Sequence, residues 1–189
     1  MVRIISGSAR GRTLKVPEGQ VVRPTADRVR EALFNVLVHR HHIAFGGARV
    51  LDLFAGAGSL GLEAKSRGAA LAWFVEQDAT VAKVLAGNLA TFGEGTRLIL
   101  QPVARFLAGP KPAEGARFHL VFLDPPYRIG AVAPTLAALV DGWLAPGAHV
   151  VIEHPADEAI VPPGGLGIHD QRIYGGTAVT VVGDAEEAL

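Results

Sequence analysis

Between Arg49 and Glu76 the chain passes from an apolar run through a glycine loop and a helical stretch to a second apolar run that stops at an acid. Arg49 to Phe54 has the length and composition of a buried strand, yet carries one carboxylate, Asp52. Gly56, Gly58 and Gly61 punctuate the loop that follows, and Ser59 to about Arg67 reads as a helix. Leu71 to Val75 is a second strand, and Glu76 stands 20 positions after Gly56. Strand, glycine loop, helix and strand-end acid form the nucleotide-binding opening of a doubly wound sheet, because glycines let backbone approach a ligand with no Cβ in the way. An acid at that distance is placed to accept hydrogen bonds from ribose hydroxyls.

The loop, Gly56-Ala57-Gly58-Ser59-Leu60-Gly61, matches the dinucleotide fingerprint letter for letter, so a nicotinamide dehydrogenase has to be weighed. Two features argue against it. Asp52 occupies a position where a dehydrogenase strand is usually apolar, and a carboxylate there could hold the amine of a methionine-type tail. Further on, the apolar run Leu120 to Leu123 ends at Asp124-Pro125-Pro126-Tyr127. Proline cannot donate to a sheet ladder, so the strand must stop, and each proline pushes its predecessor out of helical geometry. The stiff corner presents a carboxylate, unpaired carbonyls and an aromatic face, which suit a planar base bearing an exocyclic amine. A hydride-transfer site has no evident use for it. A rigid turn with a solvated Asp is the bland alternative.

The remaining elements extend the same α/β pattern. A helix over Ala79–Thr91, a strand over Arg97–Leu100 and a helical piece near Val103–Leu107 precede the proline corner. A helix near Val132–Leu139, a strand over Ala148–Glu153 and a hairpin over Gly167–Val182, turning at Gly175-Gly176, follow it. Residues 155–167 read as the one weakly structured loop. Upstream, Val2–Ser6 and Thr13–Val16 can pair as a hairpin, which is marginal alone and must dock on protein or RNA. After Arg23-Pro24, Thr25 is a candidate N-cap with Asp27 in the first turn, and Val29, Ala32, Leu33, Val36 and Leu37 recur at helical spacing up to His39. His39-Arg40-His41-His42 reads as a solvated helix end, with a metal site the weaker alternative because no acid or Cys lies near in sequence. These elements divide the chain into a basic extension, 1–45, and a doubly wound domain, 46–189, which is where a catalytic site is expected.

A neutral total conceals a division of charge. Residues 1–40 hold eight Arg or Lys against three acids, a net of +5; the other 10 bases and 15 acids leave −5. That is the pattern of a polyanion-binding arm on a catalytic body, or of a charged helix with internal partners. With 49% apolar residues and 19% charged, 189 residues suffice for one globular domain with a small appendage. The chain has no cysteine, which excludes disulfides, thiolate metal sites and a Cys nucleophile. No stretch reaches membrane-spanning length and the N-terminal apolar run is too short for a signal peptide, so no membrane partner and a cytoplasmic location are expected.

Asp52 to Gly58, Glu76 and Asp124 to Tyr127, in that order, resemble class I S-adenosylmethionine-dependent methyltransferases acting on exocyclic amines. Arg3-Ile4-Ile5-Ser6-Gly7-Ser8, Arg10-Gly11-Arg12 and Arg23-Pro24-Thr25 through Asn35 narrow the resemblance to bacterial 16S ribosomal RNA guanine-N2 methyltransferases, over nearly the whole chain. The resemblance implies a Rossmann-like, mostly parallel sheet with an antiparallel hairpin at one edge and a small N-terminal hairpin plus helix. It implies S-adenosylmethionine as cosubstrate, no metal, and 16S rRNA or the assembling 30S subunit as partner of a monomeric enzyme. Asp52, Phe54, Gly56, Gly58, Glu76, Gln77 and Val103 would bind the cofactor; Asp124, Pro125, Pro126 and Tyr127 would hold the guanine. Arg10, Arg12, Arg23, Arg28 and Arg30 would meet RNA phosphates. The family often has Asp or Asn after the third strand for the adenine amine; here the text is Gln101-Pro102-Val103-Ala104, so adenine recognition falls to backbone near Val103 or to Gln101. Adenine-N6 methyltransferases share the corner, protein glutamine methyltransferases typically carry Asn at the position of Asp124, and a catalytically silent RNA-binding domain is the non-enzyme alternative.

Overall fold

The computed structural model describes residues 2–17, 24–126 and 130–187, with backbone alone for 24–28 and 187. Tyr127, Arg23 and the side chains of Thr25, Asp27 and Arg28 therefore lie outside the described residues. The order is β1 (Val2–Arg3), β2 (Thr13–Leu14), α1 (Pro24–His39), β3 (Arg49–Leu53), α2 (Ser59–Ser66), β4 (Leu71–Glu76), α3 (Ala79–Leu89), β5 (Thr96–Leu100) and α4 (Val103–Leu107). Then come β6 (Phe118–Leu123), α5 (Val132–Val140), β7 (Leu144–Pro155), β8 (Leu166–Tyr174) and β9 (Thr177–Asp184).

Seven strands form one sheet in the order β5-β4-β3-β6-β7-β9-β8. The first five are parallel; β9 pairs antiparallel with β7 and with β8, so the expected terminal hairpin closes one edge. Strand order reverses between β3 and β6, which opens a crevice at their carboxyl ends, where doubly wound sheets bind ligands. In β7 the strand begins earlier than the apolar pattern suggests. Its register against β6 jumps between Phe118↔Leu144 and Leu120↔His149, and the bulge accommodates Pro146-Gly147, which cannot continue a regular ladder.

Alternation along each strand divides the apolar residues between the two faces. Leu51, Val121 and Ile152 pack with Phe106, Leu136 and Trp143 of one layer. Val50, Phe74 and Phe122 pack on the other with Leu62 and Leu85, and that layer also takes Phe34 and Leu37 of α1. The Phe34 ring lies 5.7 Å from Phe122, so α1 contributes to the central core.

The β1–β2 hairpin docks on protein. Fully buried Glu63 of α2 accepts from Ile5 N (2.7 Å) and Ser6 N (3.1 Å), and its charge is paired with Arg67 Nε at 2.8 Å. Ser66 closes the contact by accepting Ser8 N at its carbonyl and Ala9 N at its hydroxyl. Gly7 has φ +83, and a Cβ there would sit 1.8 Å from the Ser66 carbonyl oxygen, so only glycine permits this approach.

Candidate active site

Four strand ends meet at the crevice. Asp52 is on β3, Glu76 ends β4, Asp124 is the first residue after β6, and Glu153 is on β7. Parallel register sets the last two together: Leu123 pairs with Ile152, so Asp124 and Glu153 take the next rung. Asp52 is buried, and its Oδ2 accepts the Gly61 N–H at 2.9 Å. Gly61 is required there, because a Cβ would come within 2.9 Å of that oxygen and 2.4 Å of the Phe74 ring.

These carboxyl groups share one sign of charge, and Asp52 among them is buried. Burial pushes Asp52 up to about 7, opposed by the Gly61 hydrogen bond and reinforced by Glu76. Asp124 is raised well above the usual carboxylate range by desolvation first, then by Glu153 and Asp52. Asp124 is nonetheless exposed at the carboxyl end of the sheet, where a ligand can reach it. Glu153 is raised by the same loss of hydration.

Backbone hydrogen bonds set the loop between β3 and α2. Glu76 Oε2 accepts from Gly56 N (3.0 Å), and Oε1 accepts from Gln77 N and Asp78 N (both 2.8 Å), which fixes the carboxylate at the loop. Phe54 enters that loop at φ +59, a left-handed geometry that costs a non-glycine residue on the order of 1–3 kcal/mol and concentrates at functional sites. Gly56 has φ +54 and an added Cβ would meet nothing within 4 Å, whereas one at Gly58 would strike Leu85 at 2.6 Å. Buried Asn88 of α3 donates to Ala57 O and to Lys15 O, both at 2.9 Å, tying the N-terminal hairpin to the glycine loop.

Beside the loop lies a cleft of about 540 Å³ lined by Phe54, Gln77, Pro102, Val103 and Ala104. Gln101 lines a different cleft, with Trp73 and Arg97. Asp52, Phe54, Gly56, Gly58, Glu76, Gln77, Val103, Asp124, Pro125 and Pro126 thus fall along one sheet edge, Pro125 buried and Pro126 exposed.

The arginines divide. Arg10 and Arg12 are exposed, the latter donating to Thr91 O with its guanidinium 5.2 Å from the Phe92 ring. Arg30 corrects the sequence expectation: it is buried and donates to Arg3 O at 2.6 Å, so it holds β1 and is turned away from a polyanion. Its place at the edge of the apolar helical stripe was the available clue. Glu153 was missed because an acid in an apolar strand acquires a role only when register sets it beside Asp124.

The family described as "Conserved hypothetical protein 95" matches residues 2–183. "Ribosomal RNA small subunit methyltransferase D" of Escherichia coli (strain K12) is 41% identical over 180 residues, 94% of this chain and 87% of the relative. The chain belongs to this methyltransferase family. Its Haemophilus influenzae namesake is 40% identical over 166 residues, covering 86% of this chain and 83% of the relative. A solved structure described as "Putative methyltransferase yhhF from Escherichia coli" superposes with TM-score 0.85 at 38% identity, covering 97% of each chain. The Rossmann-like sheet with its small antiparallel N-terminal sheet is the architecture of this family. Among the described residues, no helix is long and apolar enough to cross a membrane.

Proposed function

We propose that the protein transfers a methyl group from S-adenosylmethionine to the exocyclic N2 amine of one guanine in small-subunit ribosomal RNA. The observation that carries this reading is the carboxyl cluster, Asp52 and Asp124 with Glu153, at the switch point of a nucleotide-binding sheet. Such a cluster is costly to ionise by itself and suits a ligand that carries an ammonium and a sulfonium. The residues fit that group: Asp52 for the amine, the Gly56–Gly58 loop for close backbone approach, Glu76 for the ribose hydroxyls and the Val103 cleft for the adenine. S-adenosylmethionine supplies a methyl group already activated for in-line displacement.

The protein's work is then positioning and charge. The Asp124 carboxylate and the Pro125 carbonyl accept the two amine N–H groups, which favours a pyramidal nitrogen with an available lone pair. These bonds strengthen as positive charge develops on nitrogen. A neutral exocyclic amine is far too weak an acid to be deprotonated first. After transfer the nitrogen is strongly acidic, and the raised affinity of Asp124 for a proton suits it to receive that proton. Tyr127, outside the described residues, is assigned to stack on the extruded base. Arg10 and Arg12, with Arg23 and Arg28 of the same segment, supply phosphate contacts in the 1–45 extension. The names of the relatives support ribosomal RNA over duplex DNA as substrate.

The test is methyl incorporation from labelled cofactor into immature 30S particles, naked small-subunit RNA and duplex DNA, followed by nucleoside mass spectrometry. N2-methylguanosine in the ribosomal substrates is expected; N6-methyladenine, or label in the DNA alone, would establish the alternative amine as the target.

A further inference from the structure

Three histidines distant in sequence meet at the end of the sheet opposite the carboxyl cluster. His41 follows α1, His149 lies in β7 and His169 in β8. Their ring centroids are 5.6 Å (His41 to His149), 6.2 Å (His41 to His169) and 5.6 Å (His149 to His169) apart, and one ligating atom from each lies within 4.8 Å of the others. His149 pairs with Leu120 at the start of β6, four residues or about 13 Å along the strand from the rung of Asp124 and Glu153.

The sequence reading of His39–His42 as a solvated terminus is therefore corrected at His41, whose side chain is only 6% exposed. Its Nε2 is buried without a hydrogen-bond partner among the described residues; the nearest carboxylate oxygen, on Asp170, is 3.9 Å away. That carboxylate already accepts from Arg172 Nε at 3.0 Å, with Arg40 at 3.9 Å, so it does not satisfy the imidazole. A buried nitrogen without a partner is costly, and here it lies within 4.8 Å of a ligating atom on each of two further imidazoles.

The His169 ring is held in a ligating tautomer. His169 Nε2 lies 2.8 Å from the Asp184 carbonyl oxygen, to which only an N–H can bond, so Nδ1 carries the lone pair. Carbonyls fixing the outer nitrogen are the usual second layer of imidazole metal sites. Gly183 leaves room for the His169 ring, since a Cβ there would come within 2.8 Å of it.

We propose that His41, His149 and His169 bind one zinc-type divalent transition-metal ion, clipping the turn after α1 to β7 and β8. Metal–nitrogen bonds of about 2.1 Å in tetrahedral geometry put the nitrogens about 3.4 Å apart, which each ring reaches by moving less than about 1 Å. His149 and His169 are half-buried, so an ion can enter past them and a water can complete the shell. Asp170 lends negative charge from outside the ligand set, shared with Arg172 and the exposed Arg40. The ion would join the N-terminal extension to the catalytic sheet at the end away from the chemistry, as a staple.

The full chain, stripped with chelator, would be titrated with Co²⁺ followed by visible absorption, and with Zn²⁺ by calorimetry and thermal unfolding. One ion per chain, a tetrahedral-type cobalt spectrum abolished by Zn²⁺ and a rise in Tm are expected. His41→Gln, His149→Gln and His169→Gln should each lower affinity more than tenfold and abolish the Tm shift, while His39→Gln and His42→Gln leave both unchanged. Should His149→Gln not fold, His169→Gln and the wild-type cobalt spectrum decide alone. No binding, an octahedral spectrum, or affinity indifferent to the three variants would overturn the assignment.

Discussion

Asp52→Asn tests the electrostatics of the cleft directly. The substitution keeps the shape of the side chain and an oxygen to accept the Gly61 N–H, but removes the group that burial raises from 3.8 to about 7. A carboxyl with a raised folded-state pKa holds its proton more tightly in the folded chain than in the unfolded one. Below pH 3.8 both states are protonated and the site is silent; between 3.8 and about 7 the unfolded state loses its proton first, and folding stability falls as pH rises. The full penalty, reached above about 7, is about 4 kcal/mol at 1.36 kcal/mol per pKa unit, and about 3 kcal/mol of it falls between pH 5 and 8. Urea unfolding of the ligand-free protein should therefore show the Asn variant gaining about 3 kcal/mol on the wild type across that interval. The same variant should bind S-adenosylmethionine at least about tenfold more weakly at pH 8, because the charge that answers the ligand's amine is gone. Parallel stability profiles for the two proteins would refute the claim that an ionised Asp52 is strained in the empty cleft.

Asp124→Ala should abolish methyl transfer while S-adenosylmethionine affinity, read by calorimetry, stays within a few-fold; full activity would remove Asp124 from the mechanism. Gly7→Ala should destabilise the fold by more than about 2 kcal/mol in urea melts, since its Cβ would occupy the Ser66 carbonyl and its φ of +83 disfavours any side chain. Arg10→Ala with Arg12→Ala should shallow the dependence of RNA affinity on salt, by close to two in the slope of log K against log salt if both meet phosphates; an unchanged slope would assign their charge elsewhere. Glu63→Gln should cost about 3 kcal/mol and free the hairpin to exchange its Ile5 and Ser6 amides, because it strands Arg67 and weakens both acceptors.

Periodicity and punctuation are local, and what they encode was legible. The run from Arg49 to Glu76, the proline corner after Leu123 and the turn at Gly175-Gly176 set strands and helices to within a few residues, and with them the class of sheet. Asp52, Gly56, Glu76 and Asp124 stood out because each breaks an apolar run or opens a loop, which is visible without knowing its neighbours in space. What depends on strand order and register was not legible. Glu153 reads as an ordinary acid until β6 and β7 align it with Asp124. Arg30 reads as one more cation of a basic arm until α1 packs on the sheet and turns it to Arg3 O. His41 belongs to a polar helix end in sequence, and joins His149 and His169 only because β9 inserts between β7 and β8. The chain by itself determines where each element starts and stops, since steric and hydrogen-bonding limits act over a few residues. Which charged and ligating groups confront one another is decided by tertiary packing, because burial and Coulomb interactions act through space and take no account of distance along the chain.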